Sequence, residues 1–437
     1  MSKPRDPGAE GGRAQPSARL IAARVVERVL RDGAYLSRAL DAELLRHPQL
    51  DARERGLAAE LSYGSIRTLR FSSDALQQHA AKKLPIGDPQ LFSELLIAAY
   101  QVLFLDRVPP SAAVNAAVNQ VRKKRGAKVA GFANALLRSL VRSGLQANKT
   151  DAVLASVPSW LVERIQSGLG EAELRALVGA TEAPPPFVAR LAAAGELPPE
   201  WAGAKPCRYA PHAFELAGAL SAEQRRAATW VVQEEGAQLI AWALGARPGE
   251  AVLDACAGRG TKTSLLWEAM QRRGALWATD AHPHKLESLR ADFTRLGLAP
   301  PELAAVDWTK GQGQVPCLFD RVLVDAPCTG SGTIRRRPEI LLRLAPDDPA
   351  RMSALQEAIV RSAATRLLPG GRLLYAVCSV FPEEGEAVME RTRDLFEPVA
   401  FDTPALRELA PAGASELRLL PNAHGTDGYF LASRRLK

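Results

Sequence analysis

Two cysteines, one aspartate and a run of arginines stand where strands are expected to end, a set of side chains able to do covalent chemistry on a ring. Residues 319–338, FDRVLVDAPCTGSGTIRRRP, begin as a buried-strand pattern (Phe319, Val322, Leu323, Val324) and run straight into Asp325-Ala-Pro-Cys328. The proline holds the backbone extended just before the thiol. A Gly330-Ser-Gly332 turn follows, and then Arg335, Arg336 and Arg337, which could grip phosphates. A second thiol, Cys378, ends another apolar run at 373–377. Open α/β sheets bind ligands outside the carboxyl ends of their strands. Two thiols and an acid placed there, beside basic residues, suggest nucleophilic catalysis on a nucleic-acid base.

A second group of residues suits a cofactor. A strand expected at 251–256 passes into Asp254-Ala-Cys256-Ala257-Gly258-Arg259-Gly260-Thr261-Lys262-Thr263 and then into a helix. Glycines allow close backbone approach to a ligand, and the first N–H groups of a helix are free to receive it. The full GxxxxGK[ST] phosphate loop is absent, as is the GxGxxG of a nicotinamide site. The next strand, 275–280, ends in Asp280, an acid placed to bond a ribose diol of a dinucleotide or of S-adenosylmethionine. Asp307 follows a third strand at 302–306 and is a candidate partner for an adenine amino group. With Asp325, three acids lie at three strand tips in chain order.

The elements that must hold these residues alternate strand and helix from about residue 221, the pattern of a parallel sheet with crossover helices. Further strands are expected at 319–325 and 371–378, and helices near 262–273, 283–297 and 350–368. The segment LRLLPNAHGTDGYFLASRR reads as two strands around a turn that form an antiparallel edge. Right-handed crossovers are expected. Upstream, residues 17–142 show Ala, Leu and Val at three- and four-residue spacing, which predicts an all-α bundle of five to seven helices. Ser111 is the expected N-cap of a helix ending in Arg122, Lys123, Lys124 and Arg125, with Lys128 beyond. That cluster is a candidate RNA contact; the alternative is a solvated face complementing the helix dipole. Between bundle and sheet, a helix opening at 158–161 and short strands in FVARLAA, KPCRYA and FELAGAL predict a small α+β connector, with Cys207 structural.

Composition sets the outer limits. The 437 residues are 47% hydrophobic and 24% charged, which is ordinary for a globular protein of two or three domains. No apolar run approaches the roughly 20 residues of a membrane helix. The N-terminal stretch lacks the apolar core of a secretory signal and is read as a disordered leader of a cytoplasmic protein. Five cysteines without CxxC or Cys/His spacing indicate neither disulfides nor a metal. Residues 1–150 hold 24 Lys/Arg against 13 Asp/Glu, whereas the remainder holds 32 against 35. A basic first third on a near-neutral remainder suits nucleic acid.

Two resemblances sharpen this reading. GAYLSRALD, ERGLAAELSYGSIR and VPPSAAVNAAVNQVRK followed by GFANALLRSL resemble the NusB-type RNA-binding helical domain. VLDACAGRGTKT, DAPCTGSGTIRRRPEI, LLYAVCSVFPEEGE and DGYFLA resemble the RNA 5-methylcytosine methyltransferases. Together they are similar to a bacterial family that fuses the two and acts on small-subunit (16S) ribosomal RNA. The resemblance implies a multidomain fold: a leader at 1–16, a NusB-like bundle at 17–145, an α+β connector at 150–220 and an α/β Rossmann-like methyltransferase domain at 221–437. It implies S-adenosylmethionine as cofactor, ribosomal RNA as partner, and a monomer without metal or membrane attachment.

By the same resemblance Cys378 is the nucleophile that adds to cytosine C6, Cys328 assists product release, and Asp325 bonds the cytosine edge. Cys256, Ala257, Gly258, Arg259, Gly260, Thr261 and Lys262 would hold the cofactor with Asp280, Lys285, Asp307 and Asp325. Lys262 would meet either the cofactor or the surroundings of the nucleophile. The family loop usually reads Cys-Ala-Ala-Pro-Gly-Gly-Lys-Thr, so Arg259 and Thr261 are departures, and Val377 stands where a threonine usually precedes the nucleophile. Two other classes are weighed. A non-catalytic, antitermination-like RNA-binding factor could carry a degenerate methyltransferase domain. An amino-group methylase would want an Asn/Asp-Pro-Pro-aromatic motif and needs no thiol.

Overall fold

A computed structural model describes residues 17–182, 185–192, 197–216, 230–311, 313 and 315–437. The expected leader at 1–16 and the expected start of the C-terminal domain at 221 lie outside the described residues, as do the ends of the FVARLAA and FELAGAL strands. The chain divides into two compact units, Met1–Ser156 and Val157–Lys437. The first therefore runs past 145, and the second takes the connector and the sheet domain together.

The first unit contains seven described helices: α1 (Ala18–Asp32), α2 (Leu36–Arg46), α3 (Ala52–Arg67), α4 (Leu69–Gln78), α5 (Pro89–Phe104), α6 (Pro110–Arg142) and α7 (Lys149–Ser156). Their starts follow local chemistry: Ser17 Oγ accepts from Leu20 N–H, and Asp51 Oδ1 from Glu54 N–H. Ser111 is not the N-cap of α6. The helix opens one residue earlier on Pro110, whose missing N–H costs nothing at the first helical position. Nor does α6 stop after the basic cluster. It kinks at Gly126 (φ 82°) and continues to Arg142, so the cluster sits at a bend. The core is formed by Val25, Leu95, Leu96, Val121 and Leu137, from α1, α5 and both halves of α6.

The second unit begins with α8 (Ser159–Leu169) and α9 (Glu171–Gly179). A small antiparallel sheet follows: β1 (Phe187–Leu191), β2 (Lys205–Pro206), β3 (Ala213–Leu216) and β4 (Trp230–Val232), in the order β2-β3-β1-β4. The main sheet contains β5 (Ala251–Asp254), β6 (Ala275–Asp280), β7 (Glu302–Ala305), β8 (Phe319–Asp325), β9 (Leu367–Val377), β10 (Phe396–Pro398), β11 (Glu416–Leu419) and β12 (Tyr429–Leu436). Its order is β10-β12-β9-β8-β5-β6-β7, with β11 also paired to β12. Strands β5 to β9 are parallel, and β10, β11 and β12 make the antiparallel edge. The helices between and before them are α10 (Glu235–Leu244), α11 (Thr261–Ala269), α12 (Pro283–Arg295) and α13 (Asp348–Ala364); α14 (Glu386–Arg391) and α15 (Pro421–His424) follow.

Val322, Leu323 and Val324 of β8 are fully buried, as are residues 373–377 of β9. Strands covered on both faces read as continuous apolar runs rather than alternating ones. Strand β5 is the switch point: the chain winds through β6 and β7 on one side and β8 and β9 on the other. That reversal opens a crevice at the strand ends.

Candidate active site

The sheet order decides which residues meet. Neighbouring β8 and β9 carry Cys328 and Cys378 in the segments after their ends, and the two Sγ atoms are 3.2 Å apart, both as free thiols. Lys262, from the first turn of α11 after β5, reaches across the switch point and donates to Asp325 Oδ2 at 2.6 Å. Thus the nucleophile candidates, the acid and the lysine, 116 positions apart in sequence at the extremes, occupy one end of one sheet.

The two thiols do not share one environment. Cys378 is lowered from its ordinary value by the Cys328 hydrogen bond, against burial and Asp325, with Lys262 and Arg337 adding to the lowering. Cys328 is raised well above, by the same hydrogen bond, by burial, by the charge of Cys378 and then by the Glu384 carboxylate. With Cys328 as the donor, Cys378 is the sulfur that carries thiolate character: the Lys262 and Arg337 cations offset the Asp325 carboxylate on its side, while the Glu384 carboxylate faces Cys328. Cys256 is raised well above by burial and by Asp254, Asp325 and Asp280, which leaves it a poor nucleophile. Burial pulls Lys262 down, but the Asp325 charge and hydrogen bond outweigh it, and its pKa is raised.

A buried polar network braces the two thiol-bearing segments. Glu384 Oε2 accepts from Thr329 N–H and from Gln356 Nε2, both at 2.9 Å. Its Oε1 accepts from Ser379 Oγ at 2.7 Å and from the Thr329 hydroxyl. Gln356, from α13, also donates to the Pro327 carbonyl at 2.9 Å, and Ser331 Oγ lies 3.0 Å from Ser379 Oγ. The network grips Pro327 and Thr329 on either side of Cys328, and Ser379 beside Cys378. Glu384, Gln356 and Ser379 are each wholly buried. None of the three was singled out from sequence, although the CSVFPEEGE block contains two of them; nothing in residue type alone distinguishes Glu384 from its more exposed neighbours.

The cofactor candidates line the β5–β6–β7 side. Gly258 and Gly260 have φ of 56° and 82°, the left-handed region that favours glycine, whereas Thr261 opens α11 without needing it. The departure at Thr261 is therefore compatible with the loop, and the departure at Arg259 falls on an exposed position. Ala257 N–H bonds the Thr279 carbonyl, and Gly258 N–H donates to Asp280 Oδ2 at 3.1 Å. Asp280 also accepts from His282 N–H at 2.9 Å and pairs with Lys285 at 3.2 Å. Asp307 is turned to local work: it caps a short 3₁₀ turn, accepting from Thr309 and pairing with Lys310 at 3.0 Å.

Asp254, which the sequence motifs did not single out as a ligand, is buried at the tip of β5. Its Oδ2 accepts from Thr263 Oγ1 at 2.7 Å, while Oδ1 has no partner of standard geometry among the described residues. Burial pushes its pKa up to about 7. Trp308, equally unforeseen, closes the floor by donating Nε1–H to the Ala255 carbonyl at 2.8 Å. Buried Arg190 of β1 bonds Ser264 Oγ at 2.7 Å and Glu268 at 3.1 Å, fastening the small sheet to α11. An unpaired buried carboxylate oxygen, acids at successive strand tips and an open glycine turn fit a ligand rich in N–H and O–H donors, as S-adenosylmethionine is.

The arginine run is divided. Arg336 pairs with buried Asp427 at 3.0 Å and donates to the Pro186 carbonyl, and Arg335 bonds the Gly425 carbonyl. These two hold the turn before β12, while Arg337 is exposed and contributes to the field at Cys378. In the first unit, Lys124 pairs with buried Glu94 at 2.9 Å and Arg125 with Asp88 at 2.7 Å, leaving Arg122, Lys123 and Lys128 exposed. Among the described residues no group of three or more His, Cys, Asp or Glu side chains could hold a metal ion, and no helix is long and apolar enough to cross a membrane.

Two protein-family models match the chain. One, 16S rRNA methyltransferase RsmB/F, covers residues 241–435, and the other, the NusB family, covers 16–142. The ribosomal RNA small subunit methyltransferase B of Pseudomonas putida is 33% identical over 95% of this chain and 97% of its own. A putative methyltransferase of Mycobacterium tuberculosis is 36% identical over 98% and 99%. The crystal structure of PH0851 superposes with a TM-score of 0.79 at 25% identity, covering 95% of this chain and 98% of its own.

Proposed function

Because the chain belongs to the 16S rRNA methyltransferase RsmB/F family, a family of S-adenosylmethionine-dependent enzymes, we propose that it methylates C5 of a cytosine in small-subunit ribosomal RNA through a covalent adduct on Cys378. The observation that carries this reading is the pair of thiols at 3.2 Å, with the Lys262–Asp325 pair on the side of Cys378 and the Glu384 carboxylate on the side of Cys328. Cytosine C5 is too weak a nucleophile to take a methyl group unaided. Addition of the Cys378 thiolate to C6 breaks the C5–C6 π bond and makes C5 electron-rich, which is nucleophilic catalysis. Asp325, held by Lys262, accepts from the cytosine amino group, and the Lys262 ammonium offsets the negative charge that builds up on the ring. When bound, S-adenosylmethionine supplies the electrophilic methyl group.

After C5 has been methylated, water acting as base takes the C5 proton, the C–H electron pair re-forms the C5–C6 double bond, and the C6–S bond breaks with its electron pair leaving on the Cys378 sulfur. Cys328, kept neutral, donates its S–H to the departing thiolate and so assists release. Asp280, Asp254 and residues 256–262 hold the cofactor, with Lys285 restraining Asp280 and Asp307 at the adenine side. A target base must leave its stack to reach a crevice at the sheet's edge, which favours RNA loops. Arg337, with Arg335 and Arg336 behind it, and the exposed cations of the helical unit supply the phosphate grip. We place the enzyme in the cytoplasm, with ribosomal RNA as its macromolecular partner.

The test is transfer of labelled methyl to small-subunit RNA. Wild type should yield 5-methylcytosine; Cys378→Ala should yield none, and Cys328→Ala should accumulate a protein–RNA adduct. Product from Cys378→Ala, or a wild type that binds RNA but no cofactor, would overturn the reading in favour of an RNA-binding factor.

A further inference from the structure

Glu384 lies outside the set of residues that meet the base or the cofactor, yet it is wholly buried and sits between the two reacting segments. All four of its hydrogen bonds come from neutral groups: Thr329 N–H, Thr329 Oγ1, Ser379 Oγ and Gln356 Nε2. Among the described residues no lysine, arginine or histidine pairs with it. A buried carboxylate lacking a cationic partner projects its charge onto its neighbours far more strongly than an exposed one. The thiol that feels its charge is Cys328, the residue before Thr329. Donors replace the water it has lost, and they belong to the very residues that flank the thiols.

We propose that Glu384 is a positioning residue that decides which thiol carries the charge: it clamps the segments after Cys328 and Cys378 together and keeps Cys328 a neutral donor to Cys378. The inference rests on Cys378 being the nucleophile. Asymmetry between chemically identical side chains 3.2 Å apart needs an external cause, and the surroundings supply one on each side. Asp325, Lys262 and Arg337 face Cys378, with Tyr429 beyond; Glu384 and Tyr375 face Cys328. Tyr375 donates its hydroxyl to Gln356 Oε1 at 3.1 Å and to the Glu384 carbonyl, and its own ionisation is suppressed, first by burial. Glu384 is thus the charged group set against Cys328.

The test uses the full-length protein and iodoacetamide, with initial alkylation of each cysteine followed by peptide mass spectrometry from pH 6 to 10. In wild type, Cys378 should react with the lower midpoint. In Glu384→Gln the Cys328 midpoint should fall by about one pH unit, so that Cys328 reacts about tenfold faster below it. Ser379→Ala, which removes one donor and keeps the charge, should leave the Cys328 midpoint in place. A wild-type Cys328 that titrates at or below Cys378 overturns the proposal without any variant. An unmoved Cys328 midpoint in a Glu384→Gln protein with a wild-type melting curve overturns it as well. Failure of the thiol mechanism is read separately: 5-methylcytosine formed by Cys378→Ala removes the premise, whereas an inactive Cys378→Ala with unaltered alkylation profiles in Glu384→Gln removes only the role of Glu384.

Discussion

In the proposed reaction Cys378 acts as a thiolate, so the pH dependence of methyl transfer belongs to this residue. Its pKa is lowered below the ordinary thiol value near 9, and Lys262 is raised above its ordinary 10.5. The single-turnover rate should therefore rise with pH along a limb whose midpoint lies below the ordinary thiol value, with Lys262 still an ammonium. Lys262→Met removes a cation facing the thiol and leaves Asp325 unpaired. Both changes disfavour the thiolate, so the rising limb should move to higher pH and the rate at pH 7 fall by about tenfold or more. A limb that stays in place would show that Lys262 acts on the cofactor alone. Arg337 is a lesser contributor, and Arg336 is committed to Asp427.

At the level of elements, the turn from β5 into α11 carries a contrast between two glycines. Both have positive φ, but a Cβ on Gly260 would lie 2.4 Å from Leu289 Cγ, whereas one on Gly258 meets nothing within 4 Å. Gly258→Ala should cost about 1–2 kcal/mol for its backbone conformation. Gly260→Ala must also displace α12, and should cost about 1–3 kcal/mol more. Urea unfolding of the two variants, with cofactor binding by calorimetry, checks the order; equal losses would mean that α12 yields freely. The same turn accepts Thr261 because the helix has already begun there.

The molecule as a whole divides its charge unequally, and the basic share lies in the helical unit. Within that unit the cluster before the Gly126 bend and just beyond it contains two kinds of cation. Arg122, Lys123 and Lys128 are exposed, while Lys124 neutralises buried Glu94. Replacing the exposed three by alanine should leave stability within about 0.5 kcal/mol. RNA binding should weaken, and its salt slope should shrink by about 0.7–0.9 for each phosphate that is no longer neutralised. Lys124→Ala should instead destabilise the unit, since it leaves a buried carboxylate unpaired. Fluorescence titration at several salt concentrations, with thermal melts, separates the two; an unchanged slope in the triple variant would remove the cluster from the RNA interface.

Sequence by itself determined the fold class and marked the candidate reacting groups. Apolar runs separated by helical stretches marked β5 to β9, helical spacing marked the bundle, and the Asp325-Ala-Pro-Cys328 and Cys378 blocks marked the candidate chemistry, because each of these is set by residues adjacent in the chain. Local rules also misplaced what depends on neighbours: the capping place expected of Ser111 falls to Pro109, and α6 ran on through Gly126. Only the tertiary structure decided that β8 lies between β5 and β9, which brings Lys262 to Asp325 and Cys328 to Cys378. It also decided the different surroundings of two like thiols, and the burial of Glu384 among a run of acids. Those depend on burial and on Coulomb interactions over a few ångströms between residues tens of positions apart, which no local pattern encodes.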